Sequence, residues 1–593
     1  MNQFFKFVFA SCLGVFLAIV AISALSFFLL MGIAGSAGDQ QVEVAKGTVL
    51  HLKLDKPIPE QTNNLAMNPF EFNSNDILGL NDIVASIEHA ADDEKIEGIL
   101  LDLGSGVMAG FASAATIRQA LLDFKAKGKY ITAYSKSYSQ GSYYLASTAD
   151  KIFLNPLGGI DLHGFAATIP FFKEMLDKVG VKMQVFYAGN FKSATEPYRR
   201  NDMSDENRLQ LREFLDPLYK NFLTQIGTSR NKSVEELKQM ADQLQLSLAD
   251  DALRLGMVDE IGYIDNVLAD IRERNGLEVD AKIKTVSLED YAKSYKSKTN
   301  FKIKDKIAIV YAEGAIYQDM GDRGTIVDNE YVKIIRKLRE DDKVKAIVLR
   351  VNSPGGSAVA SENIWREFML AKEAGKPIVV SMGDYAASGG YYISCMADKV
   401  YAEPNTLTGS IGVFSMIPNM TELYNDKLGI HFDTVKTAQY SVGLNVVYDM
   451  DEFEQNHWQE NTDRMYEIFL KRVADGRNMT RDQVHAIAQG RVWIGSKAKE
   501  IGLVDEIGTV DDAIAAAAEL ASLEEYRTSE FPIQPDPMQE FIKEITGQKD
   551  DDAIRTKILQ KELGVHYSMY KHLREMITTK GVQARLPFMV NFQ

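Results

Sequence analysis

The sequence predicts a tandem α/β protein, two related domains each built on a mostly parallel sheet, behind an apolar N-terminal segment. Three observations carry this. Blocks of the first half recur in the second at nearly constant spacing, continuous apolar runs alternate with amphipathic stretches, and the first 38 residues are almost free of charge.

The recurrence is specific. "YYLASTADKIFLNP" begins at Tyr143 and "YYISCMADKVYAEP" at Tyr391, 248 residues later, with six of fourteen positions identical. "EGILLDLGSG" at Glu97 faces "KAIVLRVNSP" at Lys345, again 248 apart, and "LGMVDEIGYIDNVL" at Leu255 faces "IGLVDEIGTVDDAI" at Ile501, 246 apart. Three blocks in the same order at nearly one spacing mark a duplication.

Within the second copy, "KIAIVYAEGAI" (306–316), "KAIVLRVN" (345–352), "KPIVVSMG" (376–383) and "KVYAEP" (399–404) read as strands. The intervening 329–341 and 361–375 carry apolar residues at helical spacing. Continuous apolar strands separated by helices predict a parallel core covered on both faces. The domains are expected at 47–295 and 300–525, joined by the polar, basic "SKTNFKIKDK" (297–306), with a C-terminal extension over 526–593. That extension is proline-rich at 531–541, then helical in pattern to about residue 580. Its role, whether packing on a neighbouring subunit or capping the chain, is open at this point.

After Lys6 no charge occurs until Asp39, and residues 7–33 are almost wholly apolar. As a helix this run reaches about 40 Å, against roughly 30 Å of bilayer hydrocarbon. It also exceeds the apolar core of a secretory signal, about 7–15 residues. The expectation is an uncleaved anchor over 1–38, with the Lys6 end inside and the bulk on the non-cytoplasmic side. A long signal peptide cut near "AGSAG" (34–38) is the competing reading.

Composition narrows the function. The chain is 46% apolar and 25% charged, ordinary for globular protein. Its net charge of −16 offers no basic footprint for nucleic acid. Two cysteines, Cys12 and Cys395, preclude a zinc cluster or a thioredoxin-type pair. No metal or cofactor is expected.

Differences between the copies point to chemistry. The second has "NSPGGS" (352–357) after a strand where the first has "GSGVMA" (104–109). Adjacent glycines there let backbone N–H groups face a ligand, and such donors form an oxyanion hole. Gly355 and Gly356 are the candidates, with the N–H of Ile411. Ser410 falls opposite Leu162, so only the second copy offers a hydroxyl. Lys192 lies 30 residues past Leu162, and the matching site near Tyr440 has no lysine. Each residue alone has an ordinary reading: a turn serine, a solvated lysine, a tight turn. The complementary loss points to a nucleophile, Ser410, with a general base, Lys192. A lysine serves as a base only when an enclosed site lowers its pKa. His431 and Asp433 are the alternative base and orienter of a triad, on a segment that reads as a strand.

"LRVNSPGGS" (349–357), "AASGGYYIS" (386–394), "TGSIGVF" (408–414) and "FKSATEPYRR" (191–200) occur along the chain. On these motifs, over about residues 47–525 plus the anchor, the chain resembles the long, tandem form of the signal peptide peptidase A family of bacterial membranes. The resemblance implies two ClpP/crotonase-like domains and a Ser–Lys dyad in which the family's lysine falls on Lys192 and its serine on Ser410. It places the oxyanion glycines on Gly355 and Gly356. It further implies a homotetramer in the bacterial inner membrane, facing the periplasm, that degrades remnant signal peptides. A hydroxyl that orients the lysine is implied in "TAQYS" (437–441), on Thr437 or Ser441. Two other functions are compatible with the fold: an acyl-CoA hydratase or isomerase without an attacking serine, and an inactive membrane scaffold.

Overall fold

A computed structural model of the chain describes residues 43–64, 77–104, 107, 109–295, 302–321, 324–534 and 581–586, with isolated positions near both termini. The expected anchor and the helical patterns before residue 580 lie, but for those positions, outside the described residues. Among the described residues no helix is long and apolar enough to cross a membrane.

Each half carries its own sheet. The first orders its strands Glu260–Ile261, Lys151–Leu154, Tyr130–Ser135, Ile96–Asp102, Thr48–Lys53 and Lys284–Ser287, all parallel. In the second, Ile378–Ala387, Val344–Ser353, Lys306–Glu313 and Arg527–Phe531 lie side by side and parallel. Lys399–Ala402 pairs with one end of Ile378–Ala387 and carries Glu506–Ile507 beyond it, while Leu407–Gly409 extends the other end. Arg527–Phe531 stands beside Lys306–Glu313 as Lys284–Ser287 stands beside Thr48–Lys53. The duplication seen in sequence is thus repeated strand by strand.

Alternation explains why these runs are apolar throughout. Successive strand residues face opposite sides of a sheet. Ile307, Ile309, Ala346, Val348 and Val379 pack with the helix Val510–Leu520. Their neighbours Ala308, Val310, Ile347, Leu349 and Val380 pack with the helices Asp328–Glu340 and Ala358–Glu373 on the other face. Both faces are buried, so no polar alternation survives.

A third sheet joins the halves. Its order is Ile326–Val327, Ile316–Tyr317, Gly355–Ser357, Gln583–Arg585, Val413–Asn419 and Lys182–Ala188. The last pair is antiparallel, with Val413 opposite Ala188 and Asn419 opposite Lys182. The strand leading to Lys192 is therefore zipped to the strand leaving Ser410.

Buried polar contacts close the seam. The helix Phe111–Ala126 begins at Gly110, which has no side chain to cap it. The cap comes from the other half: Asp384 Oδ1 accepts the N–H groups of Ala112 and Ser113 at 2.9 and 3.0 Å, and Oδ2 accepts the Ser113 hydroxyl at 2.6 Å. Arg350 Nε donates to Glu60 Oε2 at 2.8 Å, with both side chains almost wholly buried.

Candidate active site

Three chain turns deliver the site, each at the end of a strand of the sheets just described. Leu407–Gly409 ends in a left-handed pair, Gly409 at φ +77° and Ser410 at φ +50°. A side-chain-bearing residue there costs roughly 1–2 kcal/mol. The Ser410 N–H, donating to Arg491 O at 2.7 Å, helps hold it. Ile378–Ala387 ends in Ser388, at φ +56° and ψ −113°, whose N–H donates to Gly409 O at 2.8 Å. Lys182–Ala188 runs into Gly189 at φ +107°, and the following loop is pinned by the Phe191 N–H on Gln489 O at 2.9 Å.

These turns bring Lys192 Nζ to 3.0 Å from Ser410 Oγ, 2.8 Å from Ser388 Oγ and 3.2 Å from the Ser410 carbonyl oxygen. Ser388 and Ser410 are fully buried, and Lys192 is 1% exposed. Burial holds the Lys192 pKa well below the usual lysine value, and no carboxylate among the described residues pairs with it. A neutral amine has two N–H donors and one lone pair. Ser388 Oγ and the Ser410 carbonyl take the two donors, which leaves the lone pair for the Ser410 hydroxyl proton. The Ser388 hydroxyl has its own acceptor, Gly412 O at 3.5 Å.

Gly355 and Gly356 form the strand that borders this cluster. Both are glycine because the backbone passes too close for anything else: a Cβ on Gly355 would lie 2.6 Å from Gly389 N, and one on Gly356 2.6 Å from Ile316 N. The Gly355 N–H donates to Ser353 Oγ at 3.2 Å. Ile411, the residue after Ser410, is fully buried.

A model of peptidase family S49 matches residues 123–278 and 370–524, one stretch in each half. The chain is 34% identical over 519 residues to Protease 4 of Haemophilus influenzae, covering 86% of this chain and 83% of that one. It is 39% identical over 474 residues to Protease 4 of Salmonella typhi, covering 79% and 76%. To the chloroplastic serine protease SPPA of Arabidopsis thaliana it is 32% identical over 550 residues, covering 92% and 78%. The chain belongs to peptidase family S49. Among solved structures, a mutant ClpP1 from Listeria monocytogenes overlays 35% of this chain and 94% of its own at 18% identity, and its TM-score of 0.24 is too low to bear on the fold.

As an S49 member the chain is a serine peptidase, and the hydratase alternative falls away. The lysine-orienting hydroxyl expected in "TAQYS" is elsewhere. Thr437 and Ser441 are exposed and share a 3.3 Å hydrogen bond with each other, while Ser388 holds the lysine. The reason is that residues 430–441 run over the surface. His431 and Asp433 lie on that same stretch, which forms no strand, and Asp433 accepts the Thr434 N–H at 2.8 Å. They make no triad with the buried serine.

Two residues of this S49 site escaped the sequence reading although a signal for each was present. Ser388 falls opposite Gln140 at the 248-residue offset, the same one-sided hydroxyl that singled out Ser410. Gly490, which packs against the Lys192 backbone, falls opposite Leu244 at the 246-residue offset. The first half carries a leucine at the matching place, so this glycine too is one-sided.

Proposed function

We propose that Ser410 and Lys192 are the nucleophile and general base of a serine endopeptidase that cleaves extended apolar peptides, remnant signal peptides among them. Neutral Lys192 takes the Ser410 proton as Oγ bonds to the peptide carbonyl carbon, and the carbonyl electron pair moves onto oxygen. Backbone N–H groups at Gly356 and Ile411 stabilise that oxyanion. Gly355 supports the turn rather than donating, because its N–H is engaged by Ser353. Lys192 returns the proton to the leaving amine, and water then resolves the acyl-enzyme with the same lysine as base.

The observation that carries this reading is the 3.0 Å approach of a buried lysine nitrogen, with no carboxylate partner among the described residues, to the hydroxyl of a serine whose backbone is held in the left-handed region. The substrate class is supported by the resemblance to signal peptide peptidases and by the relatives' names as proteases. A membrane anchor over residues 1–38, with the bulk on the periplasmic side of a bacterial inner membrane, completes it. The support is the apolar run at 7–33, and tethering raises the effective concentration of membrane-borne peptides. A homotetramer belongs to the same reading, supported by exposed apolar side chains at Leu428, Val435 and Phe453.

The test is hydrolysis of an apolar fluorogenic peptide by purified, folded Ser410→Ala and Lys192→Ala. Each is expected to lose activity on the order of 10³-fold or more, and a serine-directed acylating probe should label wild type but not Ser410→Ala. Turnover retained in either variant overturns the assignment.

A further inference from the structure

Between Ala188, where its strand ends, and the 3₁₀ turn Ser193–Thr195, the chain around Lys192 runs outside regular structure. A lysine side chain has several rotatable bonds, so its nitrogen is only as well placed as its backbone. From the second half, Gln489 O accepts the Phe191 N–H and Gly490 packs against the Lys192 backbone. From the first half, the restraint is a single amide. Gln210 Nε2 donates to Phe191 O at 3.2 Å and to Ser193 Oγ at 2.9 Å, the residues on either side of Lys192. Gln210 Oε1 accepts the Val492 N–H at 3.4 Å. Val492 pairs with Gly409, and the carbonyl just before it, on Arg491, accepts the Ser410 N–H. One fully buried side chain thus ties the lysine loop to the strand that fixes Ser410.

The helix that carries Gln210, Asp205–Arg230, holds it in register. Asn207, Gln210 and Glu213 are three residues apart and share a helix face. Asn207 donates to Glu196 Oε2 at 2.9 Å, and its own Oδ1 stands 3.2 Å from Gln210 Nε2. Glu213 accepts Arg491 Nε at 3.1 Å, and the Arg491 guanidinium lies over the rings of Phe191 and Trp493, 4.8 and 4.4 Å from their centroids. The same face therefore grips the lysine loop and the strand beside Ser410.

The duplication supplies a comparison. The matching helix of the second half, Glu452–Arg477, ends on the left-handed Asn478 as this one ends on the left-handed Asn231, 247 positions earlier. At that offset His457 takes the place of Gln210, and it is exposed. The buried amide is found only on the helix that has a catalytic lysine loop to hold, the same one-sidedness that marks Lys192.

We propose that Gln210 is a positioning residue for the reaction, setting the loop of Lys192 at the distance from which the amine takes the serine proton. The inference rests on Lys192 as the general base. An amide suits the place because it donates and accepts without adding charge. A carboxylate there loses the donor and favours the ammonium form of the lysine.

The test is full-length Gln210→Met, similar in length but unable to make these bonds, assayed on an apolar fluorogenic peptide alongside thermal melts. Because displacing a catalytic group by about 1 Å costs on the order of 10²-fold, kcat is expected to fall roughly 10–10²-fold with KM within about twofold. Gln140→Met is the control: Gln140 is a buried amide of the first half that accepts the Gly164 N–H at 2.9 Å, and its loss should lower the melting temperature while kcat holds. Gln210→Glu keeps the shape, and its pH–rate limb is expected at higher pH than in wild type. It decides alone if Gln210→Met fails to fold. Wild-type kcat in folded Gln210→Met, an equal loss of kcat in Gln140→Met, or an unmoved limb in Gln210→Glu overturns the proposal. Activity retained in Lys192→Ala counts instead against the base, and the proposal falls with it.

Discussion

Gly490 lies directly against the Lys192 backbone: a Cβ at Gly490 would stand 2.6 Å from the Lys192 nitrogen and 2.7 Å from its Cα. Gly490 also has φ +82°, where a side chain is strained whatever the space. Gly490→Ala is expected to push the lysine loop off its seat, and displacement of a catalytic group by about 1 Å costs on the order of 10²-fold. Gly276→Ala is the control, since Gly276 has φ +62° but nothing within 4 Å. Steady-state kinetics with thermal melts should show both variants destabilised and only Gly490→Ala depleted in kcat/KM.

Ser388 combines a hydrogen bond to Lys192 with a strained backbone, and one substitution separates the two. Ser388→Gly removes the hydroxyl 2.8 Å from Lys192 Nζ and relaxes φ +56°, ψ −113°. Such strain is worth about 1–3 kcal/mol. The variant is expected to lose roughly 10–10²-fold in kcat/KM, as for loss of a group that positions a general base, while its melting temperature holds or rises. A fall in both together would mark Ser388 as structural only.

On the proposed dyad, the protonation of Lys192 sets the pH dependence of activity. Burial lowers its pKa well below the usual lysine value, with no carboxylate among the described residues to raise it again. The base is competent only when neutral, so kcat/KM should rise with pH along a limb placed well below 10.5. Ser388→Gly should shift that limb, because it removes a polar contact from the amine. A pH–rate profile of both proteins checks this; coincident limbs would mean that the lysine is not the titrating group.

Much of this architecture was legible because the sequence contains its own comparison. Strands at 306–316, 345–352, 376–383 and 399–404 came from unbroken apolar runs, and burial on both faces of a parallel sheet produces such runs. Ser410 and Lys192 emerged because each survives in one copy and is missing from the other. What was not legible depends on the path of the chain between elements. The loop at 429–451 passes over the surface, so a hydroxyl at 437 or 441 that is near Lys192 in pattern is far from it in contact. The strand Gln583–Arg585 is three polar or small residues with no periodicity, and its pairing with Gly355–Ser357 is set entirely by tertiary structure. The cap of the helix Phe111–Ala126 by Asp384 joins residues more than 270 positions apart, which no local motif encodes.

The seam between the halves should respond to pH in its stability. Glu313 is pushed up to about 8 and Glu403 to about 7, in each case first by burial, and Asp384 is raised by the same cause. Glu313 faces the Glu60 N–H at 3.0 Å and the Asn64 amide at 2.7 Å, while Glu403 meets Arg350 at 3.4 Å and the Thr116 hydroxyl at 2.5 Å. A carboxyl with a raised folded-state pKa keeps a proton that the unfolded chain gives up. Its contribution to stability is complete below the ordinary carboxyl value and is lost as pH climbs through 7 to 8. A tenfold change in proton affinity between the folded and unfolded chain corresponds to about 1.4 kcal/mol, so the two glutamates together give a loss of several kcal/mol between about pH 5 and pH 8. Lys192, lowered by burial, works in the opposite direction, adding stability as pH rises past its folded-state value, so the carboxyl effect is isolated by difference. Glu313→Gln and Glu403→Gln keep the shape and remove the titration. Urea midpoints at pH 5, 6, 7 and 8 should fall more steeply for wild type than for either variant, and parallel curves would show that these carboxyls do not carry the dependence.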